Sequence, residues 1–135
     1  MKKVRGYNFS RSFMGERVPQ HVQNIVIKDF CQKRKLNFLL SVSEYAMPNS
    51  FHILKDLLNN LTGIYGVVAY SVFQMPYEDD ERKKIFKQIL SKKKKIFFAC
   101  ENLEIMNKED IKRIENIWLV KKTSLKTEQT INKII

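Results

Sequence analysis

Two glutamates, Glu44 and Glu101, each follow a short apolar run, and both stand among hydroxyl, amide and guanidinium groups. A carboxylate at the end of a buried strand is partly desolvated and can be tuned for general acid–base work. Each could equally pair with an arginine or accept backbone N–H bonds across its loop. The stretch Val4-Arg5-Gly6-Tyr7-Asn8-Phe9-Ser10-Arg11-Ser12-Phe13-Met14-Gly15 supplies Asn8, Ser10, Arg11 and Ser12, and Arg17 follows shortly after. A phosphate resting on the free N–H groups of a following helix would meet Arg11 and Arg17 there. His21 stands near the start of that helix and could donate a proton. Tyr45, Ser71 and Gln74 complete the set that could face a substrate. No metal-ligand spacing joins Cys31 or Cys100 to His21 or His52, and neither a glycine-rich dinucleotide fingerprint nor a phosphate loop is present. The chain therefore calls for no metal and no cofactor.

These groups share an edge only if the intervening elements alternate. Lys3 to Phe9 mixes β-formers with polar residues and reads as a first strand. Pro19 takes a first-turn position, and Val22, Ile25, Val26, Phe30 and Cys31 recur at helical spacing up to Lys33-Arg34-Lys35. Asn37 to Ser43 is of strand length, and Glu44 to Asn49 breaks it. Ser50 can cap a second helix carried by Ile53, Leu54, Leu57, Leu58 and Leu61, which Gly63 closes. Gly66 to Ser71 is β-branched and unbroken, as a strand buried on both faces should be. An acidic start at Glu78-Asp79-Asp80-Glu81 and a lysine-rich end frame a third helix with Ile85, Phe86, Ile89 and Leu90 on its buried face. Lys95 to Cys100 is a fourth strand, and Asn107 with Asp110 forms a variant capping box for a helix carried by Ile111, Ile114, Ile117 and Trp118.

Four strands alternating with four helices predict a three-layer, doubly wound, mainly parallel α/β fold with strand order 2-1-3-4. Ligands of such sheets bind outside the carboxyl ends of the strands, where strand order reverses. Here that edge receives Asn8, Ser10, Arg11 and Ser12 from strand one, Glu44 and Tyr45 from strand two, Ser71 and Gln74 from strand three, and Glu101 from strand four. Residues 1–120 read as one α/β domain and residues 121–135 as a basic tail, frayed or dependent on a partner.

The chain has 135 residues, 44% of them hydrophobic, which suits one domain with one real core. No apolar run is long enough to span a membrane and no leader pattern opens the chain, so a cytoplasmic protein is expected. Its net charge of +11 attracts anions of every kind. Much of it lies in Lys92-Lys93-Lys94-Lys95, in Lys33-Arg34-Lys35 and beyond Lys121, at helix ends and without the interleaved aromatics that stack on bases. Nucleic acid is accordingly not the expected partner.

Two resemblances add to this reading. Gly6-Tyr7 opening a strand, serines just after it, Gln20 and Gln23 on the first helix, Glu44, Gly66-Val67-Val68-Ala69-Tyr70-Ser71 and Phe97-Phe98-Ala99-Cys100-Glu101-Asn102-Leu103 resemble the catalytic domain of the serine recombinases, or resolvases, over about the first hundred residues. The resemblance implies a resolvase-like scaffold. Asn8 and Phe9 precede Ser10, and Val72-Phe73-Gln74-Met75 follows Ser71 where that family has an Asp-Arg-Leu-type motif, so the nucleophile role is not carried onto Ser10 or Ser12.

The second resemblance spans about Arg5 to Val120. Arg5-Gly6-Tyr7-Asn8-Phe9-Ser10-Arg11, Arg17-Val18-Pro19-Gln20-His21-Val22-Gln23-Asn24, Ser43-Glu44-Tyr45-Ala46-Met47-Pro48 and Glu101-Asn102-Leu103 through Ile117-Trp118-Leu119-Val120 resemble the sporadic carbohydrate cluster protein family. That resemblance implies a cytoplasmic part in bacterial surface-polysaccharide biosynthesis, binding or modifying a phosphorylated sugar or nucleotide sugar at the carboxyl ends of the strands. Two alternatives stand beside it: a noncatalytic partner, as a homodimer or with another biosynthetic enzyme, and a nucleic-acid-binding relic of the recombinase scaffold.

Overall fold

The computed structural model describes residues 2–134, without the side chain of Ile134. Its elements are β1 (Lys3–Phe9), α1 (Gln20–Lys33), β2 (Asn37–Glu44), α2 (His52–Leu58), β3 (Gly66–Ala69), a 3₁₀ turn (Val72–Gln74), α3 (Asp79–Ser91), β4 (Lys95–Phe98), β5 (Leu103–Ile105) and α4 (Lys108–Ile134). The strands form one sheet in the order β2-β1-β3-β4-β5. The four expected strands pair in parallel, as the alternation of strand and helix requires. The expected four-stranded sheet is corrected to five, because Leu103–Ile105 returns antiparallel beside β4. Three residues carry too little alternation to read as a strand, and the reversal depends on Asn102 in the left-handed region (φ 55°).

Side-chain alternation along the strands divides the core in two. Tyr7, Phe9, Val67, Ala69, Ile96 and Phe98 face the layer of α2, α3 and α4, where Leu54, Leu58, Phe86, Ile89, Ile114 and Trp118 meet them. Val4, Val68 and Phe97 face α1 through Ile27, Phe30 and Cys31. A bulge in β2 sets Leu40 and Ser41 against the single Gly6, since Arg5 pairs with Leu39 but Tyr7 with Val42. The Ser41 hydroxyl occupies the place of a Cβ at Gly6, so only glycine fits there.

Three local expectations change. On α1 the buried positions are Gln23, Ile27, Phe30 and Cys31, whereas Val22 and Ile25 are 36% and 62% exposed. The inward position of the first turn holds an amide because α1 begins over the polar ends of the strands. Pro19 is the residue before the first helical turn rather than within it. The expected fraying beyond Lys121 gives way to a helix that continues to Ile134. There the hydroxyls of Thr123, Thr127 and Thr130 each donate to the carbonyl four residues back (2.9–3.0 Å), so the apolar stripe fades without breaking the helix. The Asn107 cap is present: the Asp110 N–H donates to Asn107 Oδ1 (3.0 Å) and the Met106 N–H to the Asp110 carboxylate (2.9 Å).

Candidate functional site

At the carboxyl end of β2, Glu44 is 2% exposed and its carboxylate accepts five hydrogen bonds. The Tyr7 hydroxyl (2.9 Å) and the Leu54 N–H (3.1 Å) donate to Oε1. The Tyr45 N–H (3.0 Å), the Ile53 N–H (3.1 Å) and the Ser50 hydroxyl (3.3 Å) donate to Oε2. The expected Ser50 cap is thus replaced by a carboxylate from β2, which suits the positive end of α2 better than a hydroxyl does. Burial first, and then the adjacent Glu44 charge, pushes the Tyr7 phenol far above its ordinary range, so Tyr7 stays a donor. The carboxylate thereby caps α2 and ties β1 to β2.

Glu101, at the end of β4, is half-buried and makes fewer contacts. It accepts from the Ser71 hydroxyl and from the Val72 N–H, both at 2.8 Å, and so holds the start of the 3₁₀ turn. Ser71 accepts from the Phe73 N–H (3.1 Å), and Gln74 Oε1 accepts from the Ser71 N–H (3.4 Å), closing a capping box. Gln74, fully buried, donates to Gln23 Oε1 (2.8 Å). Gln23 also takes the Phe9 N–H (3.0 Å) and gives its amide protons to the carbonyls of Phe9 and Val18 (2.8 Å each). One glutamine thus joins α1 to the ends of β1 and β3.

Nearer the surface, the Ser43 hydroxyl donates to Asn8 Oδ1 (2.5 Å) and the Asn8 amide to Asn24 Oδ1 (3.0 Å). Ser10 donates to the Glu44 carbonyl (3.0 Å). Arg11 donates to the Tyr45 carbonyl (2.7 Å), with its guanidinium 4.1 Å from the centre of the Phe9 ring and 5.2 Å from that of Phe51. After Arg11 the loop makes a two-residue turn in which Met14 (φ 51°) and Gly15 (φ 75°) are both left-handed, the geometry of a type I′ turn. Paired N–H···O bonds of 2.9 Å between Phe13 and Glu16 close it. The turn lays the Phe13 ring against Phe9 (5.9 Å) and Tyr70 (6.1 Å), covering the strand ends with aromatic surface.

The structure therefore gathers Ser10, Arg11, Glu44 and Tyr45 in one network, Asn8 with Ser43 and Asn24 in a second, and Ser71, Gln74 and Glu101 in a third, with Gln23 linking β1 to the third. Ser12, Arg17 and His21 stay outside all three: they are exposed, and among the described residues their side chains make no hydrogen bond or ion pair. Arg17 and His21 flank the start of α1, whose first turn has neither a side-chain cap nor an acidic residue. Unengaged N–H groups at a helix start are the kind of group that favours an anion. Sequence reasoning missed Gln23 and Asn24 as members of the networks. A glutamine at an inward helical position was the available signal. Among the described residues, no group of three or more His, Cys, Asp or Glu side chains is placed to hold a metal, and no helix is long and apolar enough to cross a membrane.

The chain matches no protein-family profile and no curated protein. Its fold is similar to that of a resolvase family site-specific recombinase from Streptococcus pneumoniae (TM-score 0.63, 8% identity, 97% of this chain and 96% of that one). It is also similar to the N-terminal catalytic domain of TP901-1 integrase (TM-score 0.67, 12% identity, 94% of this chain and 99% of that one). At these identities the likeness concerns the fold alone, and the fold is the resolvase-like α/β architecture expected from the sequence.

Proposed function

We propose that this chain is a noncatalytic binding protein of bacterial surface-carbohydrate biosynthesis, which holds a phosphorylated sugar or nucleotide sugar by its phosphate at the start of α1. One observation carries the reading: the uncapped, acid-free first turn of α1 stands between Arg17 and His21, two exposed side chains without partners among the described residues. Unengaged backbone N–H groups, the helix dipole and a guanidinium together favour an anion. Glu44 and Glu101 both accept from backbone N–H groups, which favours binding over modification. The carbohydrate context rests on the motif resemblance that runs from Arg5 to Val120. Isothermal titration with UDP-glucose and with glucose 1-phosphate tests the proposal. Saturable binding that weakens at least about tenfold in Arg17→Ala supports it, a loss in keeping with one charge-assisted hydrogen bond. Equal affinity in Arg17→Ala and wild type overturns it.

A second reading, assembly as a homodimer or with another biosynthetic enzyme, is favoured by α4. Ile114 and Trp118 face the core, while Leu119, Val120 and Ile131 are 63%, 69% and 48% exposed. Val120, Thr123, Thr127 and Ile131 recur at spacings of three and four residues, and both threonine hydroxyls are bonded to their own helix, leaving methyl groups outward. Light scattering checks it. A mass above the monomer that returns to the monomer in Leu119→Lys/Val120→Lys supports assembly through this face, and a monomeric wild type contradicts it.

A further inference from the structure

We propose that the groove between α3 and α4 docks an acidic amphipathic helix of a partner protein. The two helices run antiparallel, tied at one end by Asp79 with Lys122 (2.8 Å) and by Arg82 with Glu115 (2.7 and 2.8 Å). Toward the C-terminal end of α3 they leave a groove of about 1000 Å³. Lys83 and Lys87 line one wall, Lys108 and Lys112 line the other, and Leu90 and Ile111 also line it. Glu115 reaches the groove as well, but its carboxylate is taken by Arg82.

The charge is unbalanced. Each wall holds two lysines one helical turn apart, an arrangement that is mildly repulsive by itself. Among the described residues none of the four is in an ion pair or a side-chain hydrogen bond. Two cationic rows along an apolar strip are the complement of a helix with an apolar ridge and carboxylates on both flanks, where successive flanking residues also repeat every turn, about 5.4 Å. A nucleic-acid backbone would satisfy the lysines but gain nothing from Leu90 and Ile111, and no aromatic residue lines the groove to stack a base.

The groove lies on different elements from the α1 corner, so this proposal and the sugar-phosphate reading stand or fall separately. Its probe is a fluorescein-labelled synthetic helix with leucine at i, i+3, i+4 and i+7 and glutamate on both flanks, followed by anisotropy with the full chain at physiological salt. The comparison probes are the same peptide with lysine in place of glutamate, a polyglutamate of equal charge, and duplex DNA. Saturable binding of the Leu/Glu helix is expected, weaker by at least about tenfold for polyglutamate and in Lys87→Glu/Lys112→Glu. Both of those lysines are exposed, so the variant keeps its fold. Leu90→Ser should weaken the Leu/Glu helix while leaving polyglutamate unchanged. Unchanged binding in the charge-reversed variant, or binding of polyglutamate or DNA as tight as that of the helix, overturns the proposal.

Discussion

Glu44 shows how one buried carboxylate can organise the end of a sheet. It joins the Tyr7 phenol of β1 to the first amides of α2, and the buried donors among its five, the Tyr7 and Ser50 hydroxyls and the Leu54 N–H, would be left without a partner in its absence. Glu44→Gln replaces one acceptor oxygen with an amide that points its own protons at backbone N–H groups. We expect a loss of about 3 kcal/mol in urea unfolding, with sugar-phosphate affinity of the folded protein unchanged. Gln23→Ala should cost about 2–3 kcal/mol in the same assay, because the Phe9 N–H loses its partner in a buried place. A residue list from sequence separates such roles poorly. Glu44, Ser71 and Glu101 were legible as polar groups at strand ends, but whether a carboxylate faces a cleft or an amide depends on where the next helix starts. Arg17 and His21 were legible by their place before and within the first turn of α1, and there the geometry preserved their exposure.

Among the elements, α3 and α4 are joined by Arg82, fully buried and paired in bidentate fashion with Glu115. It also donates to Asp79 and to the carbonyls of Pro76 and Tyr77, and its guanidinium lies 4.3 Å from the centre of the Trp118 ring. Removing one partner of such a pair costs far more than replacing both, so Arg82→Met should destabilise by about 3–5 kcal/mol and Arg82→Met/Glu115→Leu should recover much of it. Asp79 at the same junction is lowered from its ordinary 3.8 to about 2, first by the hydrogen bond from Lys122 and then by that from Arg82. A depressed carboxylate stabilises the fold above its unfolded value, and the benefit fades as pH falls through the folded one. The melting temperature should therefore drop between about pH 4 and pH 2, and by less in Asp79→Asn. Asp79 is 57% exposed, which keeps this contribution small.

The existence and type of these helices followed from apolar spacing, but the Arg82 junction did not. An arginine one turn inside an acidic helix start looks like an ordinary solvated pair until α4 is laid against it. Lys92 repeats the lesson: read as the basic end of α3, it donates instead to the Leu58 carbonyl at the end of α2 (2.6 Å).

At the scale of the whole molecule, the parallel strand order was legible because unbroken apolar strands separated by helices allow few topologies. Strand β5 and the last turns of α4 were not, since three residues show no period and threonines bonded to their own helix hide one. The charge of +11 gives the molecule an electrostatic field independent of any specific site. Binding to duplex DNA should therefore be equal for unrelated sequences and lost by about 0.2 M salt, in a fluorescence titration unaffected by Arg11→Ala. The proposed binding is more local: an anion held on the start of α1, with both carboxylate networks left in place. Amide chemical-shift mapping with glucose 1-phosphate tests it most directly. The largest shifts are expected at the N–H groups of Gln20 and His21, with their loss in Arg17→Ala. Shifts centred on Tyr45 and Ser71–Gln74, with the α1 amides still, would contradict it.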